Sequence, residues 1–433
     1  MKNIKKGYKI HVFKKIDKIK NLTIPFSFHY AWVIAFTGTV VVLLAHGFGR
    51  MSYSIILPSM KEGIGLTYTE SGLIGTGNFI GYLFLCFLGG SLAVRFGSRK
   101  IIFVSLIVMG LSLFATGLSN SFITAFLMRL ITGMGNGSAY IPMLALPALW
   151  FSKNKRGLAT GIITMGTGIG LFLNGVLLPP IIGKASDGWR YAWFTLGVIL
   201  IVTSFFCYAL LRDNLKEMNT TMYGEEEFEK RIFNIDKPLA TWIVLIKEIE
   251  LWKLGLVYFM YGISYIVFLT FFVAYLTGEI GYTYKNAGKI FATFGLCSII
   301  SGVIWGWISD IFGRNIGLFF ASFVLACSYV LSILWKNTLV LYASAIIFGL
   351  TISSIPTIMA AAAGDVTGGK LAPAALGFIT LFFGIGQCIG PGIAGWLKDI
   401  TGSFMWSFGF SSVASCLGGL CSILFKGSSS FKG

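Results

Sequence analysis

The chain is 433 residues long, 55% hydrophobic and 12% charged, with a formal net charge of +17 and a mean hydropathy of +0.80. Soluble domains carry roughly 25% charge, and a water-soluble body of this size cannot hide so much apolar surface. The composition excludes a cytosolic enzyme, a disordered chain and a secreted disulfide scaffold, and it leaves a polytopic membrane protein.

Residues 1–29 hold Lys2, Lys5, Lys6, Lys9, Lys14, Lys15, Lys18 and Lys20 against a single acid, Asp17. They read as a cytoplasmic basic N-terminal segment, either an interfacial helix or a basic tail. From Tyr30 an apolar run begins that is too long for the core of a signal peptide, so it is expected as a first span. Apolar segments long enough to cross a bilayer as helices then recur near 30–58, 69–93, 101–118, 121–147, 157–182 and 189–211, and again near 251–277, 286–308, 315–335, 338–363, 371–397 and 402–425. In lipid each span must satisfy its own backbone, so helix is the expected state. The predicted class is all-α integral membrane: twelve transmembrane helices in two six-helix pseudo-repeat bundles, 30–211 and 251–425. Between them, 212–250 is polar and carries Glu225, Glu226, Glu227 and Glu229. It reads as a cytoplasmic linker rather than a metal or catalytic site, and 426–433 as a cytoplasmic tail.

Most basic residues fall in the terminal segments, in the linker and in alternate loops (Arg95, Arg99, Lys100, Lys153, Lys155, Arg156, Arg314, Lys370). The other loops hold Lys61, Lys184, Arg190, Lys285, Lys289, Lys336 and Lys398. This asymmetry predicts both termini on the cytoplasmic face of a plasma membrane, read as a bacterial inner membrane. Because the charge lies between spans, it indicates orientation and no nucleic-acid partner. The 7 Cys are scattered through apolar segments without a CxxC pair and read as small hydrophobes.

The two sets of spans are related. Gly161-Ile-Ile-Thr-Met-Gly-Thr-Gly-Ile-Gly170 aligns with Gly377-Phe-Ile-Thr-Leu-Phe-Phe-Gly-Ile-Gly386, and Gly90-Ser-Leu-Ala-Val-Arg-Phe-Gly97 with Gly306-Trp-Ile-Ser-Asp-Ile-Phe-Gly313, both displaced by 216 residues. Six spans per repeat make the halves parallel. Transporters built that way bind substrate near the midplane and alternate access between two bundles.

These motifs resemble the major facilitator superfamily over nearly the whole chain. The loop 2–3 signature is similar to Gly90, Arg95, Gly97 and Arg99 in the first half and to Gly306, Asp310, Gly313 and Arg314 in the second. The fourth-span signature is matched by Arg129, Gly133 and Gly135. The run Leu149–Gly161 looks like the monocarboxylate and oxalate/formate antiporter group, and Gly47–Pro58 resembles a poorly characterised bacterial branch. Two departures matter. Val94 stands where the family has the acid that helps latch the cytoplasmic gate. No Lys or Arg occurs within 290–308 or 372–397, so dicarboxylate exchange like that group's is not expected.

A charge at mid-bilayer is costly and marks a functional site by default. Arg50 lies deep in the first span, with His46 four residues before it and Tyr53 and Ser54 three and four after it, so the four are expected on one helical face. Either Arg50 binds an anionic group with its planar donor fork, or it bonds to backbone carbonyls near an aqueous mouth. His46 is a substrate contact, a proton carrier or an ordinary polar contact. Arg129 is expected to serve structure or gating between helices. Asn78, Asn136, Asn174 and Gln387 are expected as interhelical hydrogen-bonding groups. Tyr258, Tyr261 and Tyr265 recur at helical spacing, and Ser353, Ser354 and Thr357 surround Pro356. The resemblance places both groups at the cavity, so Tyr261, Tyr265 and Ser354 join the candidate site. No Asp or Glu falls at a span centre; Glu70 and Asp365 lie near span ends.

The expected function is secondary active or facilitative transport of a small organic solute, most simply an organic anion of monocarboxylate type, with a drug or neutral-metabolite exporter as the alternative and a non-transporting membrane receptor as a more remote one. A co-transported proton remains open as a second partner. No catalytic cluster, cofactor or metal site is expected, and the working unit is expected to be a monomer.

Overall fold

A computed structural model describes residues 29–152, 154–224 and 245–425. The basic N-terminal segment before His29, the acidic part of the linker and the tail 426–433 lie outside the described residues. Among the described residues, twelve helical segments form two sets of six. The first set is α1 Tyr30–Ile64, α2 Tyr68–Phe96, α3 Ser98–Gly117, α4 Phe122–Ala145, α5 Arg156–Ile182 and α6 Gly188–Leu210. The second is α7 Ile249–Gly278, α8 Tyr284–Phe312, α9 Arg314–Leu334, α10 Thr338–Gly368, α11 Ala374–Thr401 and α12 Phe404–Ile423. Ten are long and apolar enough to cross a membrane, and α2, bent by 47°, makes an eleventh. The remaining helix, α4, carries Arg129, Asn136 and the Gly133–Gly137 alternation, which lower its hydropathy.

Local chemistry fixes the helix ends. Thr67 and Glu70 form a capping box at the start of α2, and Gly65 and Gly402 end their helices in the left-handed conformation that favours glycine. Within the first half α2 packs on α4, α3 on α6 and α1 on α5; within the second, α7 packs on α11, α8 on α10 and α9 on α12. The halves meet where α2 lies on α11, α5 on α8 and α1 on α7.

This seam is closed at the end bearing loops 1–2 and 11–12. There Asp399 of α11 caps the start of α2, accepting from the Tyr68 and Thr69 backbone N–H groups at 3.0 and 2.7 Å and from the Thr69 hydroxyl at 2.6 Å. A Cβ on Gly72 would sit 2.1 Å from the Pro391 carbonyl oxygen, and one on Gly175 would sit 2.6 Å from the Gly288 carbonyl oxygen, so backbones of opposite halves touch. Toward the other end, Gly157, Gly161 and Gly377 face open space.

The loop 2–3 motifs close differently in the two halves. In the second, Arg314 binds Asp310 and, at 2.9 Å, Asp365. In the first, Val94 is almost fully exposed, but Asp213, just after α6, accepts from the Arg99 N–H at 2.8 Å, and Arg99 Nε donates to the Tyr208 carbonyl at 2.7 Å. Asp213 thus caps the start of α3 through the backbone, and the Arg99 side chain bonds a carbonyl where Arg314 binds carboxylates. Arg95 lies over the neighbouring Phe96 ring, and Gly90 keeps only loose contact with Ile141 of α4.

Candidate functional site

The site is built on an irregularity in α1. Residues Leu43–Met51 form a π-helical stretch within an otherwise α-helical span. A π turn widens the helix and frees carbonyls from the regular ladder, and such turns often mark functional sites. Neighbouring side chains bond these carbonyls. Asn136 donates to Ala45 at 2.8 Å, Asn174 to Gly47 at 2.8 Å and Ser52 to Phe48 at 2.5 Å. Arg129 donates through Nη1 to Gly49 at 2.7 Å and through Nη2 to Arg50 at 3.2 Å. Asn78 in turn donates to the Arg129 carbonyl at 3.2 Å. Arg129 therefore holds the backbone of α1, and the three asparagines tie helices together. Glycines permit the approach: a Cβ on Gly133 would lie 1.9 Å from the Asn78 carbonyl oxygen, and one on Gly135 would lie 2.3 Å from Met109 Cγ.

The π stretch corrects the expectation of one shared face. Arg50 and His46 stay together, with Arg50 Nη1 3.4 Å from His46 Nε2. Tyr53 is turned away: its hydroxyl donates to the Ser71 carbonyl at 2.7 Å and its ring lies under Arg129. Ser54 is buried on the far side of the break and makes no side-chain hydrogen bond among the described residues.

Arg50 sits at the seam. Its Nη2 donates to the Tyr265 hydroxyl of α7 at 3.3 Å, and Gln387 of α11 donates to the same hydroxyl. Phe79 and Tyr82 of α2 lie 4.5 and 5.3 Å from the guanidinium carbon, which adds cation–π attraction. Tyr140 of α4 packs on His46 at 4.0 Å between ring centroids, the rings tilted by 33°. Arg50 is 5% exposed and has no acidic partner among the described residues. His46 Nδ1, Arg50 Nε and Gln387 Oε1 are buried without hydrogen-bond partners. Buried polar atoms are normally paired; these three belong to side chains that meet at the seam, and Arg129 Nε and the Oδ1 atoms of Asn78, Asn136 and Asn174 in the bracing set are unpaired as well.

The facing wall is aromatic. Tyr261 stacks on Tyr265 at 4.7 Å and 9°, and Tyr258 on Phe383 at 4.4 Å and 16°. Tyr261 lines this wall only with its ring, because its hydroxyl bonds the Ile352 carbonyl. Pro356 has no N–H to offer that carbonyl, and the helix breaks at Ser353. Ser354 does not join the cluster; its hydroxyl donates to the Thr351 carbonyl at 2.5 Å within its own chain segment. Tyr82, Tyr140, Phe79 and Phe383 were absent from the sequence-derived site. Aromatic residues abound in every span, and only tertiary placement singles these out. A separate groove of about 480 Å³ lies between α5 and α8, lined by Pro179, Lys285, Lys289 and Tyr342, and includes no member of the Arg50 cluster.

A two-bundle, twelve-helix architecture is the fold of major facilitator superfamily transporters. The chain belongs to that superfamily: residues 42–423 match the family described as "Uncharacterised MFS-type transporter YbfB". It is 25% identical to the probable sulfoacetate transporter SauU of Cupriavidus necator over 87% of this chain and 90% of that protein. It is 24% identical to the hexuronate transporter of Bacillus subtilis, covering 83% and 86%, and 25% identical to human monocarboxylate transporter 12, covering 70% and 63%. A bacterial homolog of the lysosomal transporter Spinster, in an inward-facing and unoccupied conformation, has a TM-score of 0.74 at 13% identity, covering 92% and 96%. The nucleoside transporter NupG has 0.73 at 11% identity, covering 91% and 100%. The chain is a multi-pass membrane transporter of small organic solutes.

Proposed function

We propose that the protein carries a small organic anion, with the acidic group held by Arg50 and the body of the solute against the Tyr258–Tyr261–Tyr265–Phe383 wall. The observation that carries this reading is the lone Arg50 guanidinium, buried between the bundles with no counter-ion among the described residues. A buried charge without a partner is unfavourable, and a bound carboxylate or sulfonate removes that penalty through bidentate hydrogen bonds. The relatives named for sulfoacetate, hexuronate and monocarboxylate share anionic substrates, which supports the class. Both termini face the cytoplasm in this reading, which the basic-residue asymmetry supports. The closed end at Asp399 is then extracytoplasmic, and the structure is an inward-facing state of an alternating-access cycle in a plasma membrane.

Uptake into proteoliposomes of labelled carboxylates, sulfonates, sugars and organic cations tests this. Acids are expected to be carried, and each is expected to compete with the others. Carriage of neutral or cationic solutes alone overturns the class. Unchanged acid transport by Arg50→Gln overturns the site.

A further inference from the structure

The contact between Arg50 and His46 has a consequence for coupling. A guanidinium has donors and no acceptor, so at the 3.4 Å contact His46 Nε2 must be the acceptor. His46 is therefore the neutral tautomer with its hydrogen on Nδ1, and that N–H is buried without a partner. Adding a proton to Nε2 in the empty site would set an N–H against an N–H and place two cations side by side in a buried space. Nothing nearby would compensate. Against the imidazole stand Arg50 on its own helix, Tyr82 on α2 and Tyr140 on α4, and beyond these Tyr265 of α7 and Cys388 of α11 lie by Arg50, and Cys86 of α2 and Tyr258 of α7 by Tyr82. None of these is an acid, and Asn174 of α5 is engaged with the Gly47 carbonyl.

An anion reverses the balance. An acid group seated between Arg50 and His46 accepts from Arg50 with one oxygen and from Nε2–H with another, and its charge offsets the second cation. Resting on the anion reading of this site, we propose that His46 is a proton-binding site linked to the substrate: neutral in the empty carrier, imidazolium in the loaded one, so that one proton crosses with each monoanion.

The charge balances. The empty site carries Arg50 alone. The loaded site carries Arg50, the imidazolium and one monoanion, which sum to the same charge. On binding, one N–H bond forms at Nε2 with a proton from the side the site faces, and it breaks toward the other side as the anion leaves. The cycle is electroneutral and needs no carboxylate relay. Linkage is reciprocal: if the anion brings the proton, lower pH must tighten anion binding, and affinity falls up to about tenfold per pH unit as pH rises past the empty-site titration.

Two measurements decide this. In proteoliposomes with potassium and valinomycin clamping the potential, external glucuronate or methanesulfonate is added and the internal pH is read with trapped pyranine. Wild type is expected to acidify the lumen by about one proton per labelled anion taken up, and a change in clamped potential should leave uptake unaltered. His46→Gln keeps an acceptor for Arg50 but cannot become a cation. Its proton-to-anion ratio is expected to fall toward zero whatever its rate, whereas a merely structural His46 would lose rate and keep the ratio. Independently of that variant, anion binding to purified wild type in detergent, titrated in buffers of different ionisation heat, should take up about one proton. Anion transport with the lumen pH of protein-free liposomes, or binding independent of pH, overturns the coupling and leaves the anion reading standing. If none of the acids is carried, both fall together.

Discussion

The first span and its repeat counterpart, α7, began from one plan and diverged. In α1 the centre is a π stretch with a buried cation, and its exposed carbonyls are bonded by Asn136, Asn174, Arg129 and Ser52. In α7 the helix is regular over Ile249–Gly278, and Ile266 stands where α1 has Arg50, 216 residues earlier. Its inner face is a stack of tyrosine rings rather than charges. One half supplies a charged, polar-braced site and the other a flat apolar wall. Because each buried polar group needs a partner, the charged span requires a supporting set of side chains from α4 and α5 that the apolar span does not. A twofold-related scaffold can thus hold an asymmetric solute.

The sharpest way to break this contrast is Arg129→Met. It leaves the Gly49 and Arg50 carbonyls without donors, and buried unpaired groups cost about 1–3 kcal/mol each. The sum of about 2–6 kcal/mol should appear as a large fall in thermal midpoint in detergent. A midpoint equal to wild type would mean that Arg129 does not brace α1.

Arg50→Gln separates site from scaffold. Anion transport should fall roughly a hundredfold, about 2.7 kcal/mol, while thermal stability stays level or rises because an uncompensated buried charge is gone. Loss of both transport and stability together would place Arg50 with the bracing groups instead.

Gly47→Ala probes the close approach that the π stretch needs. The added methyl would meet the Gly170 Cα at 2.6 Å, and overpacking against backbone costs about 1–3 kcal/mol. The same change at Gly377, which faces open space, should alter the midpoint by under about 1 kcal/mol. Equal effects at the two positions would contradict the packing described.

The smallest effect is expected for Asp399→Asn at the closed end. It removes a negative charge from the start of α2, worth about 0.3–1 kcal/mol, and should shift the population of the closed state two- to fivefold. Spin-label distances between loops 1–2 and 11–12 read this directly. No change in the distance distribution would remove Asp399 from the closure.

Much of the architecture is legible in the sequence. Spans announce themselves because lipid demands long apolar helices, and the 216-residue displacement exposes the repeat because equivalent turns need glycine at equivalent places. Arg50 and His46 stand out in the sequence because polar groups are rare at such depths, whereas Tyr265 joins the candidate site only through the family resemblance. Tyr53 and Ser54 were misplaced because a regular helical period was assumed through a π stretch that nothing in Leu43–Met51 advertises locally. Ser354 was misplaced because a hydroxyl beside a helix break can bond its own backbone. The aromatic wall and the capping of α3 by Asp213 join residues too distant in sequence to be paired by any periodicity.

The sequence by itself determined that this chain spans a membrane with two related six-helix halves and that its rare mid-span cations lie in the first. Hydrophobic length and charge scarcity are properties of composition and order, readable without contacts. Only the tertiary structure decided which cation is bound by carbonyls and which is left unpaired at the seam. Arg129 and Arg50 are the same residue type, both buried, and what separates them is that Arg129 donates to the backbone carbonyls of α1 while Arg50 meets only the Tyr265 hydroxyl and His46. That depends on the close approach of α1, α4 and α5, and on a widened turn that forms because its carbonyls find donors there.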